Sequence, residues 1–228
     1  MNKVYWVALA AVLVIAGCNH HDFDDPSTRP FLVEWASCNL GASAPEEVGT
    51  YFAWAEVEGK DHYSWDDYRY STKEPKMTKY NPAAGTPGTT VLESGDDAAT
   101  VILGNGWRTP TKADWQELVL KGVWRKEVLK GIAGMMIYSR ATGERIMFLP
   151  VTGMMQGTVC AYSEYSVSTG PDGNPTWTGG QMHYWSSELR NDYCPNAWYF
   201  GLDDSGYGNL FTAYRSYGMP IRAVRDKK

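Results

Sequence analysis

The stretch YWSSELRNDYCPNAWYFGLDDSGYGNLFTAYRSYGMPIRAVR, residues 184–225, decides how the rest of the chain is read. Tyr184-Trp185-Ser186-Ser187 leads in like a strand. Ile221-Arg222-Ala223-Val224-Arg225 closes the stretch, with apolar side chains at Ile221 and at Ala223 or Val224. Between them Trp198, Phe200 and Leu202 alternate with Tyr199, Gly201 and Asp203. A strand turns successive side chains to opposite faces, so three large apolar groups point inward and the other face is left for solvent or a ligand. Asp203-Asp204-Ser205-Gly206 has the composition of a hairpin turn. From 190 to 217 the chain is dominated by Tyr, Ser, Gly, Asn and Asp, the palette of antibody-like binding loops. There Tyr supplies contact area on few rotatable bonds, and the small polar residues supply adaptable hydrogen bonds. Turn chemistry accounts for the Gly, Asn, Asp and Ser. It does not account for Tyr193, Tyr199, Tyr207, Tyr214 and Tyr217, although Tyr is also a good strand former. A binding face is expected here.

The N-terminus reads as an address. Lys3 precedes an apolar run, residues 4–16, too short to span a bilayer comfortably. The run ends Val14-Ile15-Ala16-Gly17-Cys18, which resembles the lipobox of bacterial lipoproteins. Residues 1–17 are then a lipoprotein signal peptide, and Cys18 is lipidated and becomes the new N-terminus. Anchoring by more than one acyl chain is stable, whereas a single chain binds marginally. Residues 18–30 are polar, acidic and bounded by proline, and read as a tether. The acidic residues after Cys18 resemble an export signal of surface lipoproteins, so the expected location is the outer membrane, facing outward. Residues 31–228 form the remaining domain, long enough for one core. A net charge of −5 without a basic stripe argues against a nucleic-acid partner.

Along that domain, aromatic and β-branched runs between 31 and 65 imply short strands, and residues 71–95 a long surface excursion. Asp97 is an N-cap candidate for a short helix ending near Gly104. Thr111 with Asp114 starts a second helix, whose Trp115, Leu118 and Val119 form an inward stripe. Strands follow over 132–148 and 149–162, and residues 168–180 read as a loop.

Seven motifs in order then resemble one family. They are Trp35-Ala36-Ser37-Cys38-Asn39-Leu40-Gly41-Ala42, Tyr51-Phe52-Ala53-Trp54, Asp96-Asp97-Ala98-Ala99, Gly106-Trp107-Arg108-Thr109-Pro110-Thr111, Phe148-Leu149-Pro150, Tyr184-Trp185-Ser186-Ser187 and Ile221-Arg222-Ala223-Val224. Together they resemble the Fibrobacter succinogenes major paralogous domain family over residues 31–226. The resemblance implies an α+β class and a C-type-lectin-like fold related to formylglycine-generating enzymes, with two helices flanking small twisted antiparallel sheets and long loops. Those enzymes need a closely spaced Cys pair near the C-terminus to activate oxygen through copper. Here Cys38, Cys160 and Cys194 are far apart, so no catalytic residue and no cofactor is assigned. Cys160 and Cys194 are candidates for one disulfide in an oxidising compartment, leaving Cys38 free and buried. His62 and His183 are lone histidines, and no zinc spacing stands out. Asp203, Asp204 and Asn209 offer oxygen ligands for calcium, but the sugar-binding segments of calcium-dependent lectins are missing, and no metal is assigned.

The same fold carries the variable proteins of diversity-generating retroelements, where adenines of asparagine-type codons are randomised. From 190 to 217 every residue except Trp198 belongs to the set such codons yield, and Lys, Glu, Gln and Met are absent. The expected contacts are Tyr193, Tyr199, Gly201, Asp203, Tyr207, Asn209, Phe211, Tyr214, Ser216 and Tyr217, within a ligand-binding region of residues 184–225. The chain is expected to be a lipid-anchored adhesin or receptor for a protein or glycan ligand. Alternatives are an undiversified paralogous or structural surface lipoprotein and, third, a formylglycine-generating-type oxidase.

Overall fold

A buried strand near the C-terminus separates the two largest clusters of the core. The computed structural model describes residues 25–72, 76–82, 90–202 and 206–227. The signal segment 1–17, Cys18, the first part of the tether and Asp203-Asp204-Ser205 lie outside the described residues. Among the described residues no helix is long and apolar enough to cross a membrane.

After a 3-10 turn at Pro26–Thr28 come β1 (Val33–Trp35), α1 (Ala98–Leu103) and α2 (Lys112–Lys121). Next are β2 (Gly122–Leu129), β3 (Ile132–Ser139), β4 (Arg145–Pro150), β5 (Met154–Gln156) and β6 (Val159–Ala161). Then follow β7 (Tyr165–Thr169), β8 (Pro175–Gly179), β9 (His183–Leu189), β10 (Asn196–Leu202), β11 (Gly208–Tyr214) and β12 (Val224–Asp226). The strands pair antiparallel in five small sheets, ordered β1-β12, β11-β10-β9, β2-β3-β4, β5-β6 and β7-β8.

The expected α+β architecture with two flanking helices is not what forms. Among the described residues strand far outweighs helix, and the helices are short. Asp97 caps α1 through the backbone N–H groups of Ala99 and Thr100, but Gly104 ends the helix after six residues at a φ of 59°. Thr111 and Asp114 close a capping box on α2, which stops at Gly122 after ten residues. A Cβ at 122 would fall 2.5 Å from the Leu118 carbonyl oxygen. Beyond it, Lys130-Gly131 both take positive φ, the backbone of a tight hairpin turn, and send β3 back along β2.

β9 explains the divided core. Its side chains are buried on both faces, so Trp185 packs with Phe52, Trp54, Ala98 and Met219, while its neighbour Tyr184 packs with Trp115, Leu118, Ile137 and Phe200. Three of these aromatics have their polar tips satisfied by backbone carbonyls. Trp54 Nε1 donates to the Ser186 carbonyl at 2.8 Å, Trp185 Nε1 to that of Phe52 at 2.7 Å, and the Tyr184 hydroxyl to that of Pro150 at 3.0 Å.

Four further expectations are corrected. Residues 168–180, read as a loop, lie largely in the β7-β8 hairpin, because alternating Ser, Thr and Val suit a strand and Trp177 buries its ring. The excursion 71–95 is not all surface, since Met77 and Tyr80 are core. Residues 25–30 belong to the folded body: Asp25 caps the 3-10 turn, and the buried Lys121 ammonium donates to the Pro30 carbonyl at 2.7 Å. Strand alternation fails over 221–224, where all four residues are buried.

Candidate binding face

The hairpin of β10 and β11 places Tyr199 opposite Phe211 and Trp198 opposite Thr212. One face of it carries a chain of rings. Tyr199 stacks on Phe211 at 5.7 Å between centroids and meets His183 of β9 at 5.2 Å, and His183 meets Tyr162 at 5.9 Å. Such offset and tilted pairs suit ring quadrupoles and hold each ring in one orientation. Tyr214 contacts Tyr217 at 5.5 Å and Trp65 at 5.6 Å, both edge to face. The Tyr217 hydroxyl is pushed above its ordinary pKa by burial, then by Tyr214 and Tyr162. Burial, with Tyr162 adding to it, likewise raises the Tyr199 hydroxyl.

Of the expected contact residues, Tyr193, Tyr207, Asn209 and Tyr214 are exposed; Tyr207 reaches 74%. Tyr199, Phe211 and Tyr217 are half-buried and present edges. Gly201 and Ser216 are buried and do not reach this surface. Gly201 is covered because β9 runs close: a Cβ there would stand 2.9 Å from the Met182 carbonyl oxygen. Asp203 lies outside the described residues. Tyr162, Trp65 and His183 were not among the expected contacts. Their place on the face comes from contacts between residues well separated in sequence, which no local pattern reveals. Tyr162 carries one local sign, a positive φ of 61° on an exposed residue.

His183 is wedged beneath the rings, and burial lowers its pKa to about 4, with a hydrogen bond to the Gly153 backbone opposing. The unfolded chain binds this proton with an ordinary pKa near 6.5, so between these values protonation favours unfolding. The contribution from His183 is therefore complete above about pH 6.5 and is lost as pH falls toward 4, an effect of about 3 kcal/mol. Urea unfolding midpoints should fall between pH 6.5 and 5 in the native chain. That slope should be absent in His183→Phe, which keeps a ring without the charge.

The chemistry available elsewhere is limited. Ser64, His62 and Asp67 lie together on the surface, but Ser64 Oγ at 3.3 Å and the Asp67 carboxylate both address His62 Nδ1. A proton relay needs the two partners on different ring nitrogens. Among the described residues no three His, Cys, Asp or Glu side chains gather as a metal site, and Asn209 Oδ1 accepts from the Leu210 N–H. Cys160 and Cys194 are not paired with each other. Cys160 Sγ sits 3.3 Å from the Tyr51 hydroxyl, and Cys38 is half-buried rather than buried.

Comparison with protein-family models, curated proteins and solved structures returns no match. The seven motifs are bonded to one another. Arg222 donates to Asn39 and to the Phe148 carbonyl, Thr109 to Asp97, and the Ser187 N–H to the Pro110 carbonyl. They form the frame beneath the face rather than the face itself.

Proposed function

We propose that this chain is a non-catalytic binding protein, adhesin- or receptor-like, that meets a protein or glycan ligand with the aromatic face around β10 and β11. A lipid on Cys18 holds it at a bacterial outer membrane, on the outer side. The observation that carries this reading is exposed tyrosine on a fully packed support. Tyr162 and Tyr214 are 55% and 39% exposed, while Trp185, Ala197 and Phe200 within the β9-β10-β11 sheet are at most 1% exposed. Rings held in place from below lose little freedom when a partner covers them, so their burial goes into affinity. Central aromatic contacts of this kind carry about 1–4 kcal/mol each in binding interfaces.

The test is a screen of the purified chain against a glycan array and a displayed-peptide library, repeated with Tyr162→Ala/Tyr214→Ala. Ligands of the face should weaken at least about tenfold, the cost of one moderate contact. Tyr138→Ala, on β3 and bonded to Glu127, should leave them unchanged. Hits indifferent to the double substitution would reject the face. Diversification by a retroelement is a finer form of the same proposal, motivated by the absence of Lys, Glu, Gln and Met from 190–217. Population sequencing of the gene should then show variants at the codons of Tyr193, Tyr207, Asn209 and Tyr214, and none at the buried Arg215; a uniform tail removes diversification while leaving the face.

A further inference from the structure

The side of the β10-β11 hairpin opposite Tyr199 and Phe211 bears a second concavity. Trp198, Phe200 and Leu210 point to this side, and α2 lies across it. Between them is an open cleft of about 440 Å³, within the size range of small-molecule sites. Its floor is the Trp115–Phe200 stack, with centroids 4.4 Å apart and planes within 5°. Val119, expected to be core, is only half-buried and forms a wall, and Leu120 beside it is 49% exposed.

The polar groups of the cleft are few and of one sign. Lys112 Nζ lies 4.9 Å from the centre of the Trp198 ring at the mouth. Glu188 is occupied otherwise: its carboxylate accepts the Lys112 backbone N–H at 2.6 Å. Among the described residues no carboxylate pairs with the Lys112 ammonium, in a chain whose net charge is −5. Gln116, one turn along α2, and Asn209 across the cleft complete the polar rim, and among the described residues the buried indole N–H of Trp115 has no acceptor. An aromatic-walled cleft with one uncompensated cation at its edge is complementary to a flat apolar body ending in an anion.

We infer that this cleft binds a small aromatic carboxylate, its ring between Trp198, Leu210 and the α2 wall and its carboxylate on Lys112. The site lies across the sheet from Tyr199 and Phe211 and shares with the proposed ligand face the rim residue Asn209. The probe is 3-phenylpropionate, compared with the uncharged 3-phenylpropanol, followed by methyl and indole NMR shifts of Val119, Leu120, Leu210 and Trp198. The acid should shift these resonances saturably and bind about tenfold tighter than the alcohol, the worth of one charge-assisted contact. Lys112→Gln, a change at a solvent-reaching side chain, should erase that preference and leave the affinity for the alcohol unchanged. Gln116→Trp, which fills the cleft from an exposed position, should abolish both. The inference is overturned by equal affinities for acid and alcohol, by no saturable shift up to about 10 mM, or by shifts that survive Gln116→Trp.

Discussion

Replacing Arg215 by Met is expected to cost on the order of 3–5 kcal/mol and to disorder the tyrosine face with it. The guanidinium is fully buried, and no carboxylate among the described residues pairs with it. Its charge is held by dipoles and rings instead. Nε donates to the Tyr68 hydroxyl at 2.9 Å, Nη1 to the Cys194 and Tyr80 carbonyls at 3.2 and 3.3 Å, and Nη2 to the Lys79 carbonyl at 3.2 Å. The rings of Trp54, Tyr68 and Tyr80 enclose it at 5.0–5.7 Å. Met fills much of the volume but leaves these oxygens dry, and unmet buried acceptors cost more than the bonds themselves contribute. Arg215→Lys keeps the charge, yet one ammonium cannot serve acceptors on three segments, so it should recover only part of the loss. Since a domain is stable by about 5–15 kcal/mol, the urea midpoint of Arg215→Met should drop steeply. Binding through Tyr214, the preceding residue, should fail at lower denaturant than in the native chain. An unchanged midpoint would mean that the cage is incidental.

That residue also shows where sequence reading stops. Arg belongs to the set that randomised codons yield, and it lies in a run otherwise rich in Tyr, Ser and Gly, so composition assigns it to the surface. Only its long-range partners, at sequence separations of 135 and 147, make it core. The helix starts at Asp97 and Thr111 were legible because capping is local chemistry. The β10-β11 hairpin was legible because period two and a turn sequence agree. Class was not legible: short helices announce themselves by caps, whereas the strands of 122–129 and 165–179 carry Gly, Ser, Thr and Lys and are stabilised by partners across the sheet. Of the candidate face, the C-terminal tyrosines could be named from the sequence; Tyr162 and Trp65 enter it only through the folded chain.

Arg222 makes the sharper test of how the termini are held. It sits in the apolar run Ile221-Arg222-Ala223-Val224, is fully buried, and has its pKa pulled below the ordinary guanidinium value by burial, with Tyr184 and Cys38 opposing. Its donors reach Asn39 Oδ1 at 2.7 Å, the Ser37 and Ala36 carbonyls at 3.0 and 3.3 Å, and the Phe148 carbonyl at 3.0 Å. Asn39 in turn donates to the Val48 carbonyl at 2.9 Å. One side chain thus ties the segment after β1, the end of β4 and the C-terminal segment together. A hydrophobic replacement can be harmless for an isolated ion pair, because both charges leave together. Here three of the four acceptors are backbone carbonyls that no substitution at 222 can remove. Arg222→Met should therefore lose about 4 kcal/mol or more, and Arg222→Lys should regain less than half of it. In Arg222→Met, hydrogen exchange should rise first at Ala36, Leu40 and Val224, whose N–H groups bond across this junction or beside it. If exchange rises uniformly instead, the cost is global and the junction does not open as a unit; if stability is unchanged, the carbonyls have found water and the cluster does not hold the termini.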